Sequence, residues 1–279
     1  MSSPQEWYNS LPRVTRVYLT AALLATIGVS FNLISPFHLH LDWTLIVSSF
    51  QVRAGCLCPH LHLNSPYSFQ IWRLVTPFIF LGKFSLGFVF QIYILITYSV
   101  QLESNPFPSG GGSHMGTTAD YLYMLLLGMA QLLLMGWLMA TPFLGSSLIF
   151  MILYVWANRN PNAVVRMPLF GFQFKAVYLP WSMLAFGMLM GNSPVFDLMG
   201  IATGHVYYFL QDVLPNSEGA WGGKRLLFTP GFLSGLLGEQ PTHLNARERM
   251  AAAQGRGPGG AAGAGGGHHW GGGRALGQG

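Results

Sequence analysis

Charge is what this sequence lacks most. Only 8% of its 279 residues are Asp, Glu, Lys or Arg, against roughly 25% in a typical soluble domain. The few charges avoid particular windows, while hydrophobic residues make up 51% of the chain and mean hydropathy is +0.39. A soluble globular class is thereby excluded, and a polytopic membrane protein is expected. The first apolar run starts after Arg13 and Arg16 and has no small-residue cleavage signature behind it. It is therefore read as a retained span, not a removable signal peptide. A buried acidic or basic relay is also missing, apart from Asp197 and His205, which argues against a transporter or channel.

What is present sorts into six apolar stretches. Residues 17–34 form the first, closed by Ser35-Pro36, and residues 84–102 and 121–139 form the second and third. Residues 142–156, 177–190 and 198–213 are shorter. A helix over 142–156 would reach about 22 Å at 1.5 Å per residue, whereas a hydrocarbon core is about 30 Å thick. Such helices need longer neighbours, or a bilayer that thins around them. Ahead of the spans, residues 1–16 carry Trp7 and Tyr8 among polar residues, with Pro4 and Pro12 limiting any helix. That pattern suits an interfacial segment. Residues 36–80 are too mixed to cross, and 103–120, which contain Pro108-Ser109-Gly110-Gly111-Gly112-Ser113, read as a loop.

Six spans put both termini on the same side as the second and fourth loops. That side would carry eleven of the Lys and Arg residues, and the other side Arg53, Arg73 and Lys83. The bias places both termini in the cytosol. The chain divides into an N-terminal segment (1–16), a membrane domain (17–213) and a soluble tail (214–279), the tail glycine-rich and expected to be disordered from about 239. Near its end, Trp270, Arg274 and Leu276 stand out among glycines and suggest a short binding motif.

The stretch 197–208 carries most of the functional signal. Gly200 and Gly204 lie four apart, on one helix face, where they let a neighbouring backbone approach. His205 is an ionisable group in an apolar run, with Asp197 at its mouth. Polar groups at such depth face a bundle interior or a wet cavity and mark function. Plain helix packing with a hydrogen-bonded histidine is the alternative.

Several motifs together resemble the Derlins, members of the rhomboid superfamily that lack protease activity. They are Leu11-Pro12-Arg13-Val14-Thr15-Arg16, Ile34-Ser35-Pro36-Phe37, Trp72-Arg73-Leu74-Val75-Thr76, Tyr154-Val155-Trp156, Gly200 to His205 with Tyr207-Tyr208-Phe209-Leu210, and Gly223-Lys224-Arg225-Leu226-Leu227. Trp72 and Arg73 resemble a hallmark of the first rhomboid loop, and Gly200 with Gly204 one of the sixth span. The resemblance implies an all-α, rhomboid-like bundle of six transmembrane helices in the endoplasmic reticulum membrane, working without catalysis and without a cofactor. The implied role is degradation of misfolded proteins, which are recognised and moved to the cytosol for ubiquitination and proteasomal destruction. Implied partners are misfolded clients, a membrane-bound ubiquitin ligase complex, further copies or relatives of the chain, the lipid bilayer, and a cytosolic AAA ATPase bound through Trp270, Arg274 and Leu276. No nucleic acid is expected.

The protease alternative meets a chemical objection. Counting back from Tyr154-Val155-Trp156 puts Gly145 where rhomboid proteases carry the nucleophilic serine, and counting back from Gly200 puts Asp197 where they carry the histidine. Ser146 or Ser147 paired with His205 would be an improvised substitute. His205 lies eight residues beyond Asp197, about 12 Å further along a helix, so the required hydrogen bond is not expected.

One stretch departs from the family pattern. Ser49-Phe50-Gln51 recurs as Ser68-Phe69-Gln70, and removing residues 52–70 leaves Ser-Phe-Gln-Ile-Trp-Arg, so these 19 residues are read as an insertion. The insertion holds Cys56, Cys58, His60 and His62 at alternate positions. One extended face could offer them to zinc or copper(I), but cysteines of structural zinc sites are more widely spaced. No metal site is therefore expected.

Overall fold

Local chemistry at the N-terminus sets the first two elements. The structure is a computed structural model that describes residues 3–41, 71–104, 118–166, 173–216, 227 and 229–237. Pro4 opens α1 (Pro4–Ser10) at a position where a missing N–H costs nothing, and Ser3 and Glu6 close a capping box over that turn. Pro4 thus starts the helix it was expected to limit. Pro12 then precedes α2 (Arg13–Ser30). Hydropathy placed the first span at 17–34 because it excluded Arg13 and Arg16, but the helix includes both. It is over before Asn32, which takes a positive φ of 56°.

The same offset recurs along the chain. After α3 (Pro36–Leu39), a 3-10 turn (Ile71–Leu74) and α4 (Thr76–Ile79) lead into α5 (Leu86–Ser104), which replaces the expected 84–102. The helix α6 (Thr118–Met139) starts three residues before 121, and α7 (Gly145–Arg159) is shifted three residues beyond 142–156. Hydropathy windows stop at charged residues; backbone hydrogen bonding continues through Glu103, Asp120 and Arg159. Next come α8 (Leu179–Leu189), narrower than 177–190, and α9 (Pro194–Tyr208). A π-helical turn (Phe209–Val213) and α10 (Leu214–Asn216) prolong α9, and α11 (Gly231–Leu236) follows.

The all-α expectation needs one correction. Between α7 and α8 lies a two-stranded antiparallel ribbon, β1 (Val164–Arg166) with β2 (Gln173–Lys175), in which Val165 faces Phe174. Its β-branched and aromatic residues favour extended backbone. The strands fall between apolar windows, where a hydropathy reading registers only a loop.

Helix α7 is the centre of the bundle. Eleven of its fifteen residues are buried, so it presents no polar face, as expected of a helix surrounded by others. Ile149, Met151, Ile152 and Leu153 are fully enclosed. Outward-facing positions are apolar as well: Val17 is 69% exposed, Leu138 70% and Leu189 81%. A surface of this kind suits hydrocarbon, where backbone groups must be satisfied within helices. Helices α5 and α6 are the two described elements long and apolar enough to cross a membrane by themselves.

Polar contacts fix the ends of these helices. Pro12 gives α2 no side-chain cap, and Glu103, at the far end of α5, supplies one. Its carboxylate accepts from Val14 N at 2.9 Å, from Thr15 N at 2.8 Å and from the Thr15 hydroxyl at 2.7 Å. An anion here also meets the positive end of the helix dipole. At the start of α7, Leu144 N donates to Pro77 O (3.0 Å), while Leu41 N donates to Pro142 O (2.8 Å). The Tyr18 hydroxyl donates to Phe78 O (2.9 Å). The long first loop is thereby tied to both α2 and the approach to α7.

Backbone contacts divide the chain into two units, Met1–Glu239 and Gln240–Gly279. The second unit lies outside the described residues, as do residues 42–70. The expected insertion, its Cys56, Cys58, His60 and His62, and the tail residues Trp270, Arg274 and Leu276 therefore all lie outside the described structure.

Candidate functional site

A cavity of about 340 Å³ opens where α5, α8 and α9 meet the first turn of α7. Its walls are largely apolar, with Phe80, Phe88, Phe90, Phe143, Phe150, Phe186 and Phe196 among the lining residues. Phe90 of α5 and Phe186 of α8 meet edge to face, with ring centroids 5.0 Å apart. That pair is a side-chain contact across the gap between the two helices.

A polar row lies inside this apolar shell. The Gln91 amide donates to Ser146 Oγ at 3.2 Å, and the Ser146 hydroxyl donates to Asp197 Oδ1 at 3.4 Å. Asp197 is only 5% exposed although it lines the cavity. It sits in the first turn of α9, where the helix dipole favours a carboxylate. Next to this row, the Ser147 hydroxyl donates to Phe196 O at 2.7 Å, locking α7 to α9. Both serines are thus committed to α9 near Asp197.

Gly200 allows that proximity, and Gly145 lets the end of the first loop lie against the start of α7. A Cβ at Gly145 would stand 2.9 Å from both Phe78 O and Phe80 O. At Gly200 a Cβ would run into Ser147 O and come within 2.6 Å of Phe150 Cβ. Gly204, one turn on, faces Tyr154 at 3.0 Å. The two glycines of α9 lie against α7, and the polar row lies beside that seam.

His205 does not reach the cavity, contrary to the inward orientation expected of it. It is exposed, and its Nδ1 pairs with the Tyr154 hydroxyl at 2.8 Å. The helical phase explains the difference: with Gly200 and Gly204 facing α7, the next residue is turned by about 100°. In the first loop, Arg73 is buried and donates to His40 O at 3.2 Å, while Trp72 is half exposed. Gln91 is not singled out by the sequence, and Ser146 is weighed there only against His205, not against Asp197. Gln91 interrupts the apolar run from Phe88 to Leu95, and that was the available signal.

The Der1-like family model matches residues 11–65 and 57–231, thus most of the chain. The chain belongs to the Der1-like family. Its curated relatives include Derlin-2.2 of Arabidopsis thaliana, 39% identical over 263 residues, with 89% of this chain and 95% of the relative covered. Derlin-1 of the same plant is 39% identical over 240 residues, covering 84% of this chain and 77% of the relative. A probable derlin-2 homolog from Dictyostelium discoideum is 35% identical over 251 residues, covering 86% and 87%. The Derlin assignment makes this a membrane protein, in keeping with its apolar helices. The two matched segments overlap at 57–65, inside the stretch 52–70 that reads as an insertion.

Among the described residues, no imidazole reaches a serine hydroxyl in this cavity. A serine nucleophile needs a base that nearly touches it, about 2.6–3.2 Å away. Here Ser146 meets a carboxylate at 3.4 Å, and the imidazole of His205 is occupied with Tyr154. Among the described residues no group of three or more His, Cys, Asp or Glu could hold a metal ion.

Proposed function

We propose that this Derlin works without catalysis in endoplasmic-reticulum-associated degradation. It receives misfolded proteins in the membrane and helps move them to the cytosol for ubiquitination and proteasomal degradation. The cavity beside α7 carries this reading. It is largely apolar, holds a buried polar row, and lies between α5 and α8, where a client segment would enter from the lipid. Helix α8 is eleven residues long, about 16 Å at 1.5 Å per residue. A helix so far short of the hydrocarbon thickness favours local thinning of the bilayer, which lowers the barrier to a polar chain. Gly145 and Asp197, at the two rhomboid catalytic positions, support the absence of protease activity. Both termini face the cytosol in this reading. A membrane-bound ubiquitin ligase complex receives the client, and a cytosolic AAA ATPase engages Trp270, Arg274 and Leu276.

One observation favours a second reading, a serine hydrolase that uses Asp197 as base: the contact between Ser146 and Asp197. A single reconstitution separates the two. Purified full-length protein in liposomes is mixed with a client labelled at both ends. The non-catalytic reading expects binding with no new fragment, and the same outcome for Ser146→Ala. A fragment formed by the wild type and lost in Ser146→Ala would establish the protease instead.

A further inference from the structure

We propose that the cavity selects apolar client segments that carry one basic side chain, and that Asp197 receives the cation. The proposal rests on the cavity being the client-receiving site and names the chemistry it recognises.

Donors and acceptors in the polar row do not balance. One of the two N–H groups of Gln91 Nε2 is used on Ser146, and the Ser146 hydroxyl on Asp197. Gln91 Oε1 is buried and has no hydrogen-bond partner. The second carboxylate oxygen, Asp197 Oδ2, has no hydrogen bond and no ion pair among the described residues. It is also left uncovered by its neighbour: a Cβ at Gly187 would stand 3.2 Å from it, and glycine has none. Asp197 Oδ2 thus remains an unfilled acceptor in a largely apolar cavity, with Asn192 and Ser193 the polar residues of the adjoining lining. An unsatisfied acceptor in an apolar setting is costly, and an unpaired carboxylate costs more.

A client cation would correct this imbalance. A Lys ammonium has three donors and an Arg guanidinium five, and neither has an acceptor. The phenylalanine walls suit the rest of such a side chain. Ring faces attract cations, and a long aliphatic stem packs on apolar surface. The volume of about 340 Å³ falls within the roughly 300–1,000 Å³ of ligand clefts. Neutral or acidic segments would leave Asp197 Oδ2 unfilled or add repulsion. The selection has a physical rationale: a basic residue within a membrane segment is normally paired inside its own assembly. Exposed to a cavity of this kind, it marks a segment that has lost its partner.

The test uses the full-length protein in phosphatidylcholine vesicles with single-span peptides. Each peptide carries a photo-crosslinker beside one central position, which is Lys, Leu or Glu. Crosslinks to cavity residues should be about tenfold or more higher for Lys than for Leu, the factor a charge-assisted hydrogen bond supplies, and lowest for Glu. Asp197→Asn should erase the Lys advantage, so that Lys and Leu peptides give equal yields within the variant. Equal Lys and Leu yields in the wild type would overturn the proposal while keeping the cavity as a client site, and they need no variant to fold. Absence of cavity crosslinks from every peptide would overturn the client site itself. The ammonium of phosphatidylethanolamine offers the same chemistry, so a second set of vesicles contains that lipid. A Lys advantage erased there would assign the site to the headgroup and overturn client selection.

Discussion

Glu103 shows how much one residue decides in an apolar chain. Three donors from the start of α2 converge on its carboxylate, which is 8% exposed. Glu103→Gln would keep the size but replace one acceptor oxygen with an amide that faces donors. The expected loss is about 1.5–3 kcal/mol, the range for hydrogen bonds to a charged group, read as a lower melting midpoint in detergent. Glu103→Asp should fall between the two, since its shorter arm keeps the charge. A Gln variant melting with the wild type would remove Glu103 from the list of stabilising groups. Nothing local announced this role: the partners are 88 and 89 positions apart, and from sequence Glu103 read as the first residue of a loop.

Among the elements, the seam between α7 and α9 sets the geometry of the cavity. The glycines facing it are unequal. A methyl at Gly200 meets backbone (Ser147 O) and the Cβ of Phe150, which move only with the helix; one at Gly204 first meets Tyr154 atoms at 3.0 Å. Gly200→Ala should therefore destabilise by about 1–3 kcal/mol as an overpacked site, and Gly204→Ala by less. Thermal unfolding of the two variants in the same detergent gives the order, and a reversed order would contradict this account of the seam. The glycine pair was legible because its spacing of four is itself the signal. The row of Gln91, Ser146 and Asp197 was not, since Ser146 is 55 positions from Gln91 and 51 from Asp197. Only packing joins them. His205 shows the complementary limit. Its chemistry was visible, but which side of α9 it occupies depends on the phase of that helix against α7.

At the scale of the whole molecule, each of the six apolar stretches overlaps a described helix, and two of these helices, α5 and α6, are long and apolar enough to cross a membrane. The short ones depend on neighbours, which a window along the chain does not register. The insertion belongs to this scale. Deleting residues 52–70 should preserve or raise stability and client turnover, because it joins Gln51 to Ile71 ahead of Arg73, whose contact with His40 anchors the first loop. A deleted chain that fails to accumulate would make those residues part of the fold. The tail provides a separate test. A peptide covering 268–279 should bind the N-terminal domain of the AAA ATPase in calorimetry, with Trp270→Ala abolishing the heat, because a few buried anchors dominate short interfaces. Equal heats from both peptides, or none from either, would end the proposed role of Trp270.

The cap on α2 also bears on how the protein is made. Its donors leave the ribosome 88 residues ahead of the carboxylate that satisfies them. At about 5–20 residues per second, α2 waits on the order of 4–18 s, its amino end served by water or by lipid headgroups. Only when the end of the second long helix has emerged can Glu103 take over. Helices α2 and α5 are thus completed as a pair, and a translational pause once residue 104 has emerged would give that pairing time to form.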